Sequence, residues 1–298
     1  MSKPDTRTVP EGPTRMTPSE AFVETMVANG VTDMFGIMGS AFMDAMDIFA
    51  PAGIRLIPVV HEQGAGHMAD GYARIKRVSS FQELVTTPFA DGVNALCWKR
   101  TLLGDFSEVV LALGVSEGVI PIDEAQLREL PVSLAGRTAI ELLLEDQRLL
   151  REHGAAPVLN CFLSYPREED PVVVPTDVYS FHADSAPVEA DTFLCTYHGA
   201  PSEGLRNEDA LRRVDIPATR AELLKLFGGE DNGAFREFLA ENCYDLHYAP
   251  APSAQPFSFG VGNLWRIATD WPGSPVPPCI HRAPDNLPGQ PPRLLLIC

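Results

Sequence analysis

Between Thr17 and Arg74 helix signals and apolar runs alternate so closely that little but a layered α/β unit can accommodate them. Thr17-Pro18-Ser19-Glu20 opens a helix: Thr17 suits the cap, Pro18 the first turn, and Glu20 completes a capping box. Phe22, Val23, Met26 and Val27 recur at helical spacing, and Asn29-Gly30 ends the run. Val31–Ile37 is expected as a strand, Ala41–Phe49 as a helix, Ile54–Val60 as a second strand and His61–Arg74 as a third helix, with Pro51-Ala52-Gly53 breaking the middle. A helical crossover normally joins parallel neighbours, so the two strands should be parallel.

The character changes near Ile75-Lys76-Arg77. Helices are expected over Asp105–Leu113, Glu124–Leu130 and Thr138–Arg151, where Leu142, Leu143, Leu149 and Leu150 are core candidates. After Pro157 the chain turns β-rich, with strands expected at Val158–Tyr165, Val178–Asp184, Thr192–Tyr197, Phe257–Ile267, Cys279–Arg282 and Arg293–Cys298 and a helical insert over Thr219–Glu241. Prolines crowd Ala249–Pro256 and Trp271–Pro292, as in loops between strands. The fold expected is an α/β segment over 16–76 and a larger α+β domain over 77–298, whose β-rich half is of the double-stranded β-helix kind. Residues 1–15 are polar, hold three prolines and lack an apolar signal core, which makes them a disordered tail. The apolar run Leu294-Leu295-Leu296-Ile297 stands almost at the last residue, so a longer natural C-terminus is expected.

With 45% hydrophobic residues the chain can bury a sizeable core, and its net charge of -17 repels phosphate backbones and anionic lipid. Nucleic acid and membrane surfaces are therefore excluded as partners, and a small-molecule ligand is expected. No apolar run approaches the roughly 18 residues of a bilayer span. The six cysteines form no CxxC pair, so neither a zinc ribbon nor a thioredoxin motif is indicated. Scattered cysteines without a secretory signal point to a reducing cytoplasm.

The segment MTPSEAFVETMVANGVTDMFGIMGSAFMDAMDIF, followed by VVHEQGAGHMADGYAR, resembles the start of the pyrimidine-binding domain in thiamine diphosphate enzymes of the sulfoacetaldehyde acetyltransferase type. The most specific stretch is HEQGAGHMADGYAR, residues 61–74. By that resemblance Glu62 is the catalytic carboxylate that hydrogen-bonds the cofactor's aminopyrimidine ring. Ile37 and Gly39, in the turn Gly36-Ile37-Met38-Gly39, would lie near the same ring. Gly64, Ala65, Gly66, Ala69 and Gly71 give residues 61–74 a small-residue face, suited to a second copy of the chain and hence to a homo-oligomer. The resemblance stops there. Ile75-Lys76-Arg77-Val78-Ser79-Ser80 replaces the family's glycine-rich strand, and no Gly-Asp-Gly occurs to hold magnesium and the diphosphate. The expectation is an incomplete thiamine diphosphate segment, not competent as such an enzyme alone, fused to a second domain.

That second domain carries its own constellation. Phe181-His182-Ala183-Asp184 places His182 and Asp184 two apart on an expected strand, hence on one face. Cys279-Ile280-His281-Arg282 supplies a second histidine on a later strand. Two imidazoles and a carboxylate form the facial set of non-haem Fe(II) oxygenases. Arg293 follows His281 by 12 residues. This order weakly resembles the iron/2-oxoglutarate oxygenases, in which a basic residue at such a distance binds the co-substrate's distal carboxylate. A guanidinium suits that task because it pairs bidentately. The resemblance implies Fe2+ on His182, Asp184 and His281 with 2-oxoglutarate on Arg293, or a non-catalytic metal site. With seven histidines in the chain, the competing account is two satisfied structural histidines. Gly114-Val115-Ser116-Glu117-Gly118 fits a nucleophile elbow in letters only, because Pro121 opposes the helix that must follow, and a surface turn is expected.

Overall fold

The computed structural model describes residues 16–29, 31, 33–37, 39, 43–61, 65, 75–115, 117–167, 172–285 and 289–298. Two compact units divide the chain, Met1–Tyr72 and Ala73–Cys298. The expected tail, Glu62 and nearly all of the helix expected over 61–74 lie outside the described residues, as does Ser116.

In the first unit, helix α1 (Pro18–Ala28) begins on the capping box read from the sequence. The Glu20 amide donates to Thr17 Oγ1 (3.2 Å), and the Thr17 amide donates to the Glu20 carboxylate (2.7 Å). Strands β1 (Asp33–Gly36) and β2 (Arg55–Pro58) flank helix α2 (Met43–Phe49) and pair in parallel, as the crossover argument requires. Val23, Ala45, Phe49 and Ile54 are buried together beneath them.

The second unit begins with β3 (Ile75–Val78), α3 (Phe81–Thr86) and β4 (Ala95–Trp98), a parallel pair that the sequence reading did not anticipate. Next come α4 (Phe106–Leu113), β5 (Val119–Ile122), α5 (Glu124–Glu129), the long α6 (Leu134–Glu152) and β6 (Val158–Phe162). Strand β5, not a helix, follows Gly118, so no nucleophile elbow forms. The β-rich half continues with β7 (Phe181–His182), β8 (Asp191–His198), β9 (Glu203–Leu205) and β10 (Ala210–Arg212). Helices α7 (Pro217–Phe227) and α8 (Gly233–Glu241) form the expected insert, packed on Val174, Val214, Leu223, Phe235 and Leu239. The chain then returns through β11 (His247–Pro250), β12 (Phe257–Ser258), β13 (Leu264–Ala268), β14 (Ile280–Arg282) and β15 (Arg293–Ile297).

These strands make a seven-stranded sheet, β3-β4-β13-β8-β15-β6-β5, and a six-stranded sheet, β10-β11-β7-β14-β9-β12. The molecule is thus a mixed α/β protein with a parallel-strand N-terminal region. Its C-terminal part is an antiparallel, strongly curled half-barrel. From β6 to β9, and again from β12 to β15, the chain alternates between the two sheets.

Side-chain alternation sorts each strand of the larger sheet. On β8, Phe193, Cys195 and Tyr197 pack against α4 and α6, whereas Leu194 packs with Phe259, Trp265 and Cys279 on the inner face. Leu143 and Leu150 of α6 are fully buried in the outer cluster, which completes the helical layer. That layer encloses a charged pair: Asp146 accepts from Arg100, Nη1 at 2.6 Å, and from the Tyr197 hydroxyl at 2.5 Å.

Two strand expectations need correction. Phe257–Ile267 is two strands in different sheets, because Gly260 and Gly262 take positive φ (71° and 82°) and turn the chain between them. Val178–Asp184 shrinks to β7, because Asp177 closes a turn by accepting the amides of Tyr179 and Ser180 (3.1 and 3.2 Å). Among the described residues no helix is long and apolar enough to cross a membrane. All six cysteines are free, and four of them are buried.

Candidate metal centre

Strand β7 lies between β11 and β14. Its His182 is the register partner of both His247 and His281. Residues directly opposite in antiparallel strands share a face, so the three imidazoles gather on one side of the sheet. The His182 ring lies 4.7 Å from that of His281 and 5.8 Å from that of His247, centre to centre. Asp184 follows the end of β7, where its carbonyl accepts the Asp270 amide (2.7 Å) and fixes the backbone.

One ligand atom from each of His182, Asp184 and His281 lies within 4.8 Å of the others. His182 Nε2 is 3.9 Å from Asp184 Oδ1, and His281 Nε2 is 3.7 Å from Asp184 Oδ2. Each ring is held from behind. His182 Nδ1 bonds the Ser180 carbonyl (2.8 Å) and His281 Nδ1 that of Cys279 (3.3 Å). A carbonyl only accepts, so Nδ1 carries the hydrogen and each Nε2 lone pair faces the carboxylate. Metal-binding histidines are oriented in this way. Burial, with the neighbouring His281, pushes the His182 imidazole down to about 4. It is therefore neutral, as a ligand must be. Thr192 Oγ1 donates to Asp184 Oδ2 (2.6 Å) and fixes that carboxylate in turn.

His247 was not singled out from the sequence, where it stands alone between Leu246 and Tyr248. Its Nδ1 bonds the Cys243 carbonyl (2.8 Å), and it lies beside the group of three, outside it. The opposite wall is aromatic, with the Phe259 ring 6.4 Å from that of His281 and stacked on Trp265. Gly204 is the other register partner of His281, and a Cβ there would fall 2.1 Å from the Phe257 ring. Gly204→Ala is therefore expected to destabilise the second unit by about 1–3 kcal/mol through overpacking, read as a lower midpoint in urea unfolding.

Arg293, at the start of β15, is only 6% exposed. Its Nη2 donates to Ser202 Oγ (3.2 Å), its guanidinium lies over the Phe162 ring, and its Nε is buried without a partner. No ion pair reaches it among the described residues, and burial depresses its pKa. Ser202 extends the ladder into β9, because its carbonyl accepts the Phe259 amide (2.9 Å). It stands two residues before Gly204 and so projects to the face that His281 occupies. Arg293 thus bonds a residue that shares a face with His281, and it is a buried cation with no ion pair among the described residues.

The positions tied to the thiamine resemblance fare differently. Glu62 lies outside the described residues, Ile37 is exposed, and Gly39 has no side chain to offer.

Residues 16–96 match the family described as "Thiamine pyrophosphate enzyme, N-terminal TPP binding domain". The sulfoacetaldehyde acetyltransferase of Alcaligenes xylosoxydans xylosoxydans is 81% identical over 75 residues, 25% of this chain and 12% of that enzyme. That of Castellaniella defragrans is 83% identical over 71 residues, 24% of this chain and 12% of the enzyme. The acetolactate synthase large subunit of Corynebacterium glutamicum is 39% identical over 64 residues. No solved structure matches the chain. The chain spans only 12% of the length of these acetyltransferases, and over that N-terminal segment alone it is their close homologue.

Proposed function

We propose that the second unit is a double-stranded β-helix domain that binds a divalent metal on His182, Asp184 and His281. In this reading the metal is Fe2+, and Arg293 anchors the distal carboxylate of 2-oxoglutarate. The observation that carries the proposal is the convergence of three ligand atoms within 4.8 Å, with both imidazoles held by their Nδ1 atoms. The strand order supports the fold. The quartets β6-β15-β8-β13 and β7-β14-β9-β12 are each contiguous in one sheet, with the chain crossing between them. The unpaired, buried guanidinium of Arg293 supports the co-substrate.

The residues divide the work. His182 and His281 offer neutral nitrogen donors, and Asp184, steadied by Thr192, offers charge. Three protein ligands leave the metal's remaining positions to co-substrate and O2. Arg293 orients the 2-oxoacid by a charge-assisted pair in a dry interior, where such a pair is strong. Phe259 and Trp265 keep water from the histidine side. Held by these residues, Fe2+ would supply O2 activation for oxidation of a substrate coupled to oxidative decarboxylation of the 2-oxoacid.

The test is metal analysis of protein reconstituted anaerobically with Fe2+, beside a 2-oxoglutarate titration. One iron per chain is expected in the wild type and none in His182→Ala. Arg293→Gln should keep the iron and lose 2-oxoglutarate. Equal, near-zero iron in wild type and His182→Ala would leave two structural histidines as the account.

The N-terminal unit supports a second reading, restricted to itself. Its close identity to acetyltransferases makes it a partial pyrimidine-binding segment. We read it as unable to make a working thiamine diphosphate centre alone, since the chain has no Gly-Asp-Gly to hold magnesium and the diphosphate. Calorimetry with thiamine diphosphate and Mg2+ should give no saturable binding. A low-micromolar dissociation constant, lost in Glu62→Ala, would reverse that reading.

A further inference from the structure

Five buried side-chain polar atoms lack a hydrogen-bond partner among the described residues, and the residues that carry two of them, Ser180 (Oγ) and Arg213 (Nε), line one cavity. The cavity measures about 300 Å³ and lies where the β10–α7 connection meets the turn before β7. Ser180 is only 8% exposed, yet its hydroxyl has no hydrogen-bond partner among the described residues. Burial depresses the Arg213 pKa. An unsatisfied buried donor is costly, and native proteins keep one mainly where something outside the fold satisfies it.

The two carboxylates lining the same cavity are already engaged. Asp177 Oδ1 accepts the amides of Tyr179 and Ser180, and Asp285 pairs with Arg167 (3.6 Å) and Arg282 (3.4 Å). Neither forms an ion pair with Arg213 among the described residues, so the cavity lining includes one cation without an ion pair and one serine whose hydroxyl has no partner there. A guanidinium and a hydroxyl together match the oxygens of a carboxylate or a phosphate group. Arg213 belongs to the connection into the insert α7–α8, whereas Ser180 leads into β7 and its carbonyl holds His182.

We infer that Ser180 and Arg213 form an anion-binding site, separate from Arg293, that takes the carboxylate or phosphate group of a small molecule. The inference does not rest on the metal reading, because neither residue is a proposed ligand. Its occupant would press on the backbone that carries His182.

Calorimetric titration of the full chain, kept metal-free with chelator, tests it with two probes: inorganic phosphate and succinate. Saturable binding of one of them is expected, and which one binds tells whether a phosphate or a carboxylate is the natural group. Arg213→Gln should weaken that binding at least tenfold, Ser180→Ala severalfold, and Arg293→Gln not at all. Ser180→Ala deletes a hydroxyl without a partner among the described residues, so its melting temperature should match the wild type, and that match separates a binding loss from a folding defect. The inference is overturned if neither probe saturates at millimolar concentration. It is equally overturned if binding survives Arg213→Gln but vanishes in Arg293→Gln, which would leave only the inner cation as an anion site.

Discussion

His281→Ala is expected to abolish the stabilisation that a divalent cation gives the second unit. A ligand that binds only the folded state at 100 times its dissociation constant adds about 2.7 kcal/mol. For a unit of this size that corresponds to a rise of roughly 5–10 °C in melting temperature. Removal of one of three protein ligands should weaken the metal on the order of 100-fold or more, since losses behind the ligands alone cost about 10–100-fold. The cation-induced shift should therefore vanish in His281→Ala and in Asp184→Ala at the same metal concentration. Thr192→Val keeps all three ligands and removes only the bond to Asp184 Oδ2, so it should retain a smaller shift. Each variant is compared with itself with and without metal, because His281 is buried against the Phe259 ring and its truncation lowers the metal-free melting temperature as well. Scanning fluorimetry with Fe2+ under argon, or with Co2+ in air, reads all four proteins. Identical shifts in wild type and His281→Ala would move the metal elsewhere and end the proposal.

The sequence pointed to the grouping of His182, Asp184 and His281 better than to the sheets that bring them together. These three stand out because metal chemistry admits few residue types, and because their order along the chain survives any error in strand limits. The capping box at Thr17 and the parallel pair β1–β2 were legible because a cap, a proline and a crossover act locally. Several other strands of three or four residues were not. β3, β9, β10 and β11 carry too few side chains for a period of two to stand out, and they exist because neighbours in the sheet complete their backbone hydrogen bonds. Gly260 and Gly262 were seen, but only the structure shows that they divide one apolar run between two sheets. Ser180 and Arg213 could not have been found from sequence. Their interest lies in bonds they do not make, and no pattern of letters records that.

The largest stability effect should come from a residue far from any ligand. Asp146 is 2% exposed on α6 and receives two bonds from Arg100 and one from the Tyr197 hydroxyl. Burying such a pair costs about as much as it returns, but stranding one partner does not: an uncompensated buried charge costs about 3–5 kcal/mol. Asp146→Ala strands the Arg100 guanidinium, itself little exposed, and leaves the Tyr197 hydroxyl without its acceptor. At roughly 2–4 °C per kcal/mol, the melting temperature of the second unit should fall by about 6–20 °C. Arg100→Met with Asp146→Leu and Tyr197→Phe removes both charges and the hydroxyl at similar volume, and it should return part of that loss, because the Gly262 carbonyl gives up its bond from Arg100 Nε (2.8 Å). The metal should be indifferent to both changes in the folded state. On β8, Tyr197 packs outward toward the helices, whereas Thr192 bonds Asp184 on the other side of the sheet. Sites that share no partner add within about 0.5 kcal/mol, so Asp146→Ala and His281→Ala together should cost the sum of their separate effects. A melting temperature for Asp146→Ala within about 2 °C of the wild type would mean that solvent reaches Arg100 and that the pair is not buried in solution. A double-variant cost well away from the sum would mean that the helical layer, through β8, holds the metal ligands in place.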